Sequence, residues 1–237
     1  MTPADTPPDA DWTDATDDPE TELQAVRDRL LEEVMANVAF DGWTDRSLYD
    51  AARMTDTPAP MVAVAFPDGI ADVSIHLHDW ADRQMADAIA DDPDFVAAGT
   101  TEQVERALMA RLAVLSPHKE AIRRGMALVA SPRVAAQSAR CAVRTADRVW
   151  RLCGDTATDF NHYTKRALLM GVLAPTLLYW LGDQDEELRG TRRFLRARLA
   201  GVVRAGKLVR RAGGLGRVTE APWRAAALLR RQIVRDA

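Results

Sequence analysis

The residues best equipped for chemistry crowd into one stretch, Gly154–Leu169 (GDTATDFNHYTKRALL), where small, acidic, amide, aromatic and basic side chains alternate. Its carboxylates, Asp155 and Asp159, are four apart, a spacing that puts two groups on one helical face. Acid–base work needs two carboxyl groups set in a pocket with unlike proton affinities, and no predicted pocket surrounds this pair. Both also stand where a helix begins. Gly154 suits the left-handed position after a helix end, Asp155, Thr156 or Thr158 can cap the next helix, and Asp159 in its first turn opposes the helix dipole.

The rest of the chain offers little catalytic apparatus. Its four histidines and two cysteines fall into no metal-ligand spacing. His76 and His78 are two apart and point away from each other on a helix, so both read as packed or solvated. No Glu-x-x-His pair occurs, which excludes a di-iron bundle in this chain. Ser116-Pro117-His118-Lys119 matches Ser-x-x-Lys, but a nucleophilic serine also needs a base and an oxyanion hole. Ser116 as N-cap with Pro117 in the first helical position accounts for it. The Gly213-Gly214-Leu215-Gly216 run follows no strand and precedes no Gly-Lys-Ser, so it reads as a hinge. The chain reads as a non-enzyme, and no cofactor or metal is expected.

The elements that position these residues are helical throughout. Apolar residues recur at three and four, no alternating run suggests a sheet, and 237 residues at 47% hydrophobic content can bury a sizeable core. Residues 1–19 read as a disordered, acidic, Pro-rich tail. A helix from Pro19 carries Leu23, Val26, Leu30, Val34 and Val38. Trp43–Gly69 reads as helix, turn, helix, capped by Thr44 or Asp45, with Thr57-Pro58 opening the second helix, Ala59–Phe66. Helices Ile70–Asp92, Thr101–Leu115, Arg133–Cys153 and Gly190–Arg211 follow, with Asp92–Gly99 as a loop and Gly206 suited to close approach of another helix. The segments are 20–69, a helix-turn-helix-like unit; 70–211, a helical domain; and 212–237, a hinge and amphipathic helix. Cys141 and Cys153 lie on one helix, too far apart to bridge.

After the motif comes the most apolar run, Ala167–Leu181. It spans 15 residues and includes Pro175, short of the roughly 20 that cross a bilayer. His162, Arg166, Leu169, Leu173, Thr176 and Trp180 form one stripe of this helix, and Phe160, Thr164, Ala167, Gly171, Ala174 and Leu178 another. The stripes imply a helix that is buried or lines an apolar cavity.

Charge is divided unevenly. Residues 1–99 hold 5 arginines, no lysine and 23 acids, while residues 100–237 carry a net +14. The segment Arg189–Ala237 has 14 bases against Glu220 and Asp236, which points to an anionic partner. In Pro222–Arg235, Trp223, Leu229 and Ile233 face one way, with Arg224 and Arg231 opposite. That is a helix lying in a membrane interface, or one folded back on its own domain. No targeting leader is expected, since the first basic residue is Arg27.

The stretch GDTATDFNHYTKRALL resembles the signature of the COQ-nine family of ubiquinone-biosynthesis accessory proteins. Gly154, Asp155, Thr158, Asp159, Phe160, Asn161, Tyr163, Thr164, Lys165 and Arg166 match that pattern. Ala157 stands where a hydroxyl residue is expected and His162 where tryptophan is. The looser resemblance runs from about Leu23 to Arg211. It implies an all-α fold like that of TetR regulators, with a degenerate helix-turn-helix unit, and a homodimer. It further implies a non-catalytic protein that binds an isoprenoid ubiquinone precursor and assists the di-iron hydroxylase acting on demethoxyubiquinone. On that view Leu169, Met170, Leu173, Leu177 and Trp180 line the lipid site. Asp159, Asn161, His162, Tyr163, Lys165 and Arg166 meet the hydroxylase, and Trp223, Arg224, Leu229, Arg231 and Ile233 rest on an anionic membrane. The expected location is cytoplasmic, on the inner membrane of a bacterium.

The alternative is a TetR-like DNA-binding transcriptional regulator. Its reading helix would need cations or amides, whereas Ala59–Phe66 has neither. Asp41–Asp72 sets six aspartates against Arg46 and Arg53, which repels a polyanion. No nucleic-acid partner is expected. Met61, Val62, Val64 and Phe66 read either as core or as a docking surface for lipid or partner.

Overall fold

The computed structural model describes residues 18–155 and 160–211, with side chains described for 18–155 and 163–205. Residues 1–17 of the expected acidic tail, Thr156, Thr158, Asp159 and residues 212–237, expected as a hinge and helix, therefore lie outside the described residues. Asn161, His162 and Gly206 are described as helical backbone only. Among the described residues the regular structure is entirely helical. The chain divides into two compact units, residues 1–90 with 113–145, and residues 91–112 with 146–237.

The first unit is built around α1, Pro19–Asp41. Asp18 caps it, accepting from the Glu20 amide, and Pro19 fills a position whose N–H would be orphaned anyway. Val26, Leu30, Leu31, Val34, Met35 and Val38 are its buried stripe, and each buried leucine contributes about 2 kcal/mol. Gly42 ends the helix at φ +68°. Helix α2 (Asp45–Met54) opens with a reciprocal cap, the Thr44 hydroxyl on the Ser47 amide and the Ser47 hydroxyl on the Thr44 amide. Helix α3 (Ala59–Ala65) follows a turn in which Thr55 and Thr57 share a 2.9 Å hydrogen bond. Both α2 and α3 pack on α1.

Helix α4 (Ile70–Ala90) buries Val73, Trp80, Met85 and Ile89. Asp28 of α1 ties it down, accepting from His76 at 2.7 Å and from two nitrogens of Arg83 at 2.7 and 2.8 Å. Burial pushes the Asp28 carboxyl up, but the hydrogen bonds from His76 and Arg83 outweigh this and hold it well below the usual carboxylate range. His76 is thus packed, its ring edge-on to Phe66.

Two departures from expectation occur next. Asp92–Gly99 holds a short helix, α5 (Pro93–Ala97), with the Asp92 carboxylate capping the Asp94 amide. Ser116 is not an N-cap. Helix α6 (Thr100–Leu115) runs on into a 3-10 turn, Ser116–His118, because Leu115 keeps helical dihedrals. A capping side chain needs extended backbone at its own residue. Helix α7 (Lys119–Gly125) leads to a second 3-10 turn, Met126–Ala130, and to α8 (Pro132–Leu152), which starts after the extended Ser131. Trp43 donates to the Ala121 carbonyl at 2.8 Å, joining the α1–α2 corner to α7.

In the second unit the long helices are α9 (Phe160–Gly182) and α10 (Arg189–Arg211), packed together. Tyr179 stacks on Phe194 with centroids 4.5 Å apart, and Arg198 covers the Phe194 ring. Asp183 fixes the turn between them, accepting from the Thr191 amide and hydroxyl at 2.7 Å each. Pro175 lies inside α9 without ending it. No helix among the described residues is long and apolar enough to cross a membrane.

Candidate functional site

The signature stretch begins where α8 stops. Gly154 takes φ +76°, as its sequence position suggested, and the amide of Asp155 reaches back to the Trp150 carbonyl at 2.9 Å. That 6→1 bond is the C-terminal closure that leaves few carbonyls unsatisfied.

The Asp155 carboxylate is taken up by ion pairs. One oxygen accepts from Lys165 at 2.6 Å, and the other lies 3.6 Å from Arg166. Arg166 also grips Asp147 of α8, with Nε at 2.7 Å and Nη2 at 2.5 Å. Asp147 in turn holds Arg151 at 2.7 Å. Lys165 lies 5.2 Å from the centre of the Trp150 ring, within range of attraction to the ring face.

Burial decides how this cluster behaves. The side chains of Arg166 and Asp155 are 7% and 9% exposed. Charges so buried are tolerated only when paired and hydrogen-bonded. The cluster is therefore a clamp joining the end of α8 to the start of α9. Cys153 sits beside it, its thiol pushed up to about 11 by burial and by the Asp155 carboxylate, so it stays protonated and unreactive at neutral pH.

The six residues assigned to partner contact are thus in unlike settings. Tyr163 is 70% exposed. Lys165 is half-buried against Trp150 and Asp155, and Arg166 is inside, so its guanidinium braces the helix from behind. Asp159 lies outside the described residues, as do the side chains of Asn161 and His162. Lys165 and Arg166 were singled out in the sequence but Asp147 was not, because a link between a residue of α8 and one nineteen positions later leaves no local signal.

The proposed lipid-lining residues share the inward side of α9. Leu169 and Trp180 are buried at 3% and 0%, and Met170, Leu173 and Leu177 are half-buried. The other stripe faces out: Ala167, Gly171, Ala174 and Leu178 are exposed. Trp223, Arg224, Leu229, Arg231 and Ile233 lie outside the described residues. Among the described residues no group of three or more His, Cys, Asp and Glu is placed to hold a metal.

In the helix-turn-helix unit, Val62 and Phe66 are buried at 1% and 3%, while Val64 and Met61 are 58% and 37% exposed. Val62 and Phe66 thus belong to the core, and Met61 and Val64 to the surface.

Residues 135–206 match the COQ9 family model, a span that includes the whole cluster. The chain is 25% identical over 199 residues to the Ubiquinone biosynthesis protein COQ9, mitochondrial, of Xenopus tropicalis, covering 81% of this chain and 62% of the frog protein. Identity to the proteins of the same name is 24% in Drosophila melanogaster, over 91% of this chain and 67% of the fly protein, and 24% in Homo sapiens, over 84% and 64%. The chain thus spans somewhat under two thirds of the frog and human relatives. A TetR transcriptional regulator from Nitrosomonas europaea superposes with a TM-score of 0.62 at 18% identity, over 76% of this chain and 98% of its own. That likeness shows the fold, a TetR-regulator-like all-α bundle. The resemblance carried by Gly154–Arg166 is thus shown to be a likeness to the COQ9 proteins, through the family match at residues 135–206 and through similarity along most of the chain.

Proposed function

We propose that this protein is a non-catalytic accessory protein of ubiquinone biosynthesis that binds a polyprenyl intermediate and presents it to the di-iron hydroxylase acting on demethoxyubiquinone. The observation that supports it most is the family match across the Gly154–Arg166 cluster, in a chain similar to proteins named for ubiquinone biosynthesis. The geometry adds a rationale. A buried ion-pair clamp holds the first turns of α9 in place, so that Tyr163 is offered to a partner from a fixed helix, which lowers the ordering cost of binding.

The lipid would lie against the inward side of α9, on Leu169, Met170, Leu173, Leu177 and Trp180. The C-terminal segment, with Trp223, Arg224, Leu229, Arg231 and Ile233, would rest on an anionic bilayer, where each basic residue near the surface adds about 1 kcal/mol. A second copy would pair with it as a homodimer. The relatives named above are mitochondrial by name; here the site of action proposed is the cytoplasmic side of a bacterial inner membrane.

Purified protein extracted into organic solvent and analysed by mass spectrometry should release a prenyl lipid, and the protein should sediment with anionic vesicles. A protein free of prenyl lipid and indifferent to vesicles overturns the proposal.

A further inference from the structure

Helix α3 is apolar on both sides, and its own unit uses only one. Val62, Ala65 and Phe66 at its end are buried. Pro60, Ala63, Val64 and Pro67 recur three and four apart on the outward side, and all of them, with Met61, are exposed. Met54, at the end of α2, is 73% exposed. Scattered apolar residues on a surface are ordinary, but a contiguous set on one helix marks an interaction site. A surface helix that served only its own core would carry polar residues outward.

The patch is held rigidly. The Arg27 guanidinium donates to the Ala65 carbonyl at 2.9 Å. Beyond α3, Asp68 pairs with Arg133, and Asp45 accepts from the Ile70 amide at 2.9 Å. Before it, Thr55 binds both Thr57 and the Ala51 carbonyl at 2.9 Å. A partner would therefore meet a preformed surface.

Charge selects the partner. Six aspartates against Arg46 and Arg53 fall within Asp41–Asp72; Asp56, in the turn before α3, is exposed, while Asp68, in the turn after it, is already paired with Arg133. Nucleic acid and anionic bilayers carry the same sign and are repelled. A cationic surface with an apolar centre is attracted. We propose that the outward face of α3, together with Met54, docks a basic amphipathic helix of a partner protein, its apolar stripe on Met61 and Val64 and its cations toward the aspartates. The inference is independent of lipid binding.

The test uses the full chain and three short fluorescent peptides. One is an amphipathic leucine–lysine helix, one its leucine–glutamate twin, and one a leucine–lysine scramble with no apolar face. Anisotropy should show the leucine–lysine helix binding tightest. The doubly substituted chain, Met61→Ser with Val64→Ser, leaves charge unchanged and should bind it about tenfold more weakly, the loss of two apolar contacts. Asp56→Asn keeps a residue suited to the left-handed backbone there (φ 51°) and should weaken binding about threefold at low salt. Circular dichroism melts of the variants verify folding. Equal binding of helix and scramble, no loss in the serine variant, no binding of any peptide, or tighter binding of a DNA duplex or an anionic vesicle through the same residues each overturns the proposal.

Discussion

Arg166 of α9 donates through Nε to Asp147 of α8 at 2.7 Å, and its guanidinium is almost wholly inside the protein. The bond joins the two helices on either side of the signature stretch. The signature is therefore in part a folding device: two of its most conspicuous charges, Asp155 and Arg166, are spent on holding its own helices together.

Removing Arg166 takes the buried cation from between Asp147 and Asp155 and leaves them only Arg151 and Lys165, a change that costs about 3 kcal/mol. Urea unfolding of Arg166→Ala should show that loss, and Arg166→Lys, unable to reach both carboxylates at once, should recover only part of it. A loss below about 1 kcal/mol would mean that the clamp is structurally idle.

Tyr163 should behave in the opposite way. Its side chain is 70% exposed, so Tyr163→Ala should change stability by only about 0.5 kcal/mol. If the tyrosine is the presented contact, capture of the hydroxylase should fall at least about tenfold, a hot-spot loss. Undiminished capture would remove Tyr163 from the interface.

Gly69 closes the corner between α3 and α4 at φ +60°, and a Cβ there would stand 2.3 Å from the Asp45 carboxylate oxygen. Gly69→Ala combines an unfavourable backbone with that collision and should destabilise by about 1–3 kcal/mol. Gly42, also at positive φ but with no atom within 4 Å of a Cβ, isolates the backbone contribution: Gly42→Ala should cost less, as read by thermal melting.

His118 sits edge-on to Trp80 with centroids 5.9 Å apart, and burial lowers its pKa although Glu32 pulls the other way. The folded form then resists protonation more than the unfolded chain does. Its contribution is fully present above the ordinary value of 6.5 and is lost as pH falls through the lower folded value. The melting temperature should therefore drop between pH 7.5 and pH 5, and His118→Phe should flatten that part of the profile. An unchanged slope in the variant would assign the pH response to other groups.

The helices were legible where a cap and a stripe coincide. Thr44 before α2 and Gly154 after α8 start and end helices as their residue types dictate, although the Ser47 half of the Thr44 cap was not read from the sequence. Asp92-Pro93 carried the same start signal for α5, but five residues are too few to show a periodicity. Ser116 failed for the converse reason. Its type and the following proline suit a cap, but the backbone at Leu115 stays helical and the chain tightens into a 3-10 turn instead. At the site, helical spacing set Arg166 on one stripe with Leu169 and Trp180, and all three face inward. The pairing of Arg166 did not follow from spacing, because Asp147 and Asp155 arrive from the preceding helix and the turn after it. On α3 the apolar letters were plain, but only packing against α1 separates Val62 from Val64.

Pro175 gives α9 a built-in weak point. Proline lacks the amide hydrogen that would bond the Gly171 carbonyl one turn earlier, and Gly171 is on the exposed stripe of the helix, where solvent can take the missing donor's place. The rod between the signature end and the Trp180 end thus has a joint near its middle. Deuterium uptake along it should break into two blocks that open separately, the one anchored through Arg166 and the other through Trp180 and the Tyr179–Phe194 stack.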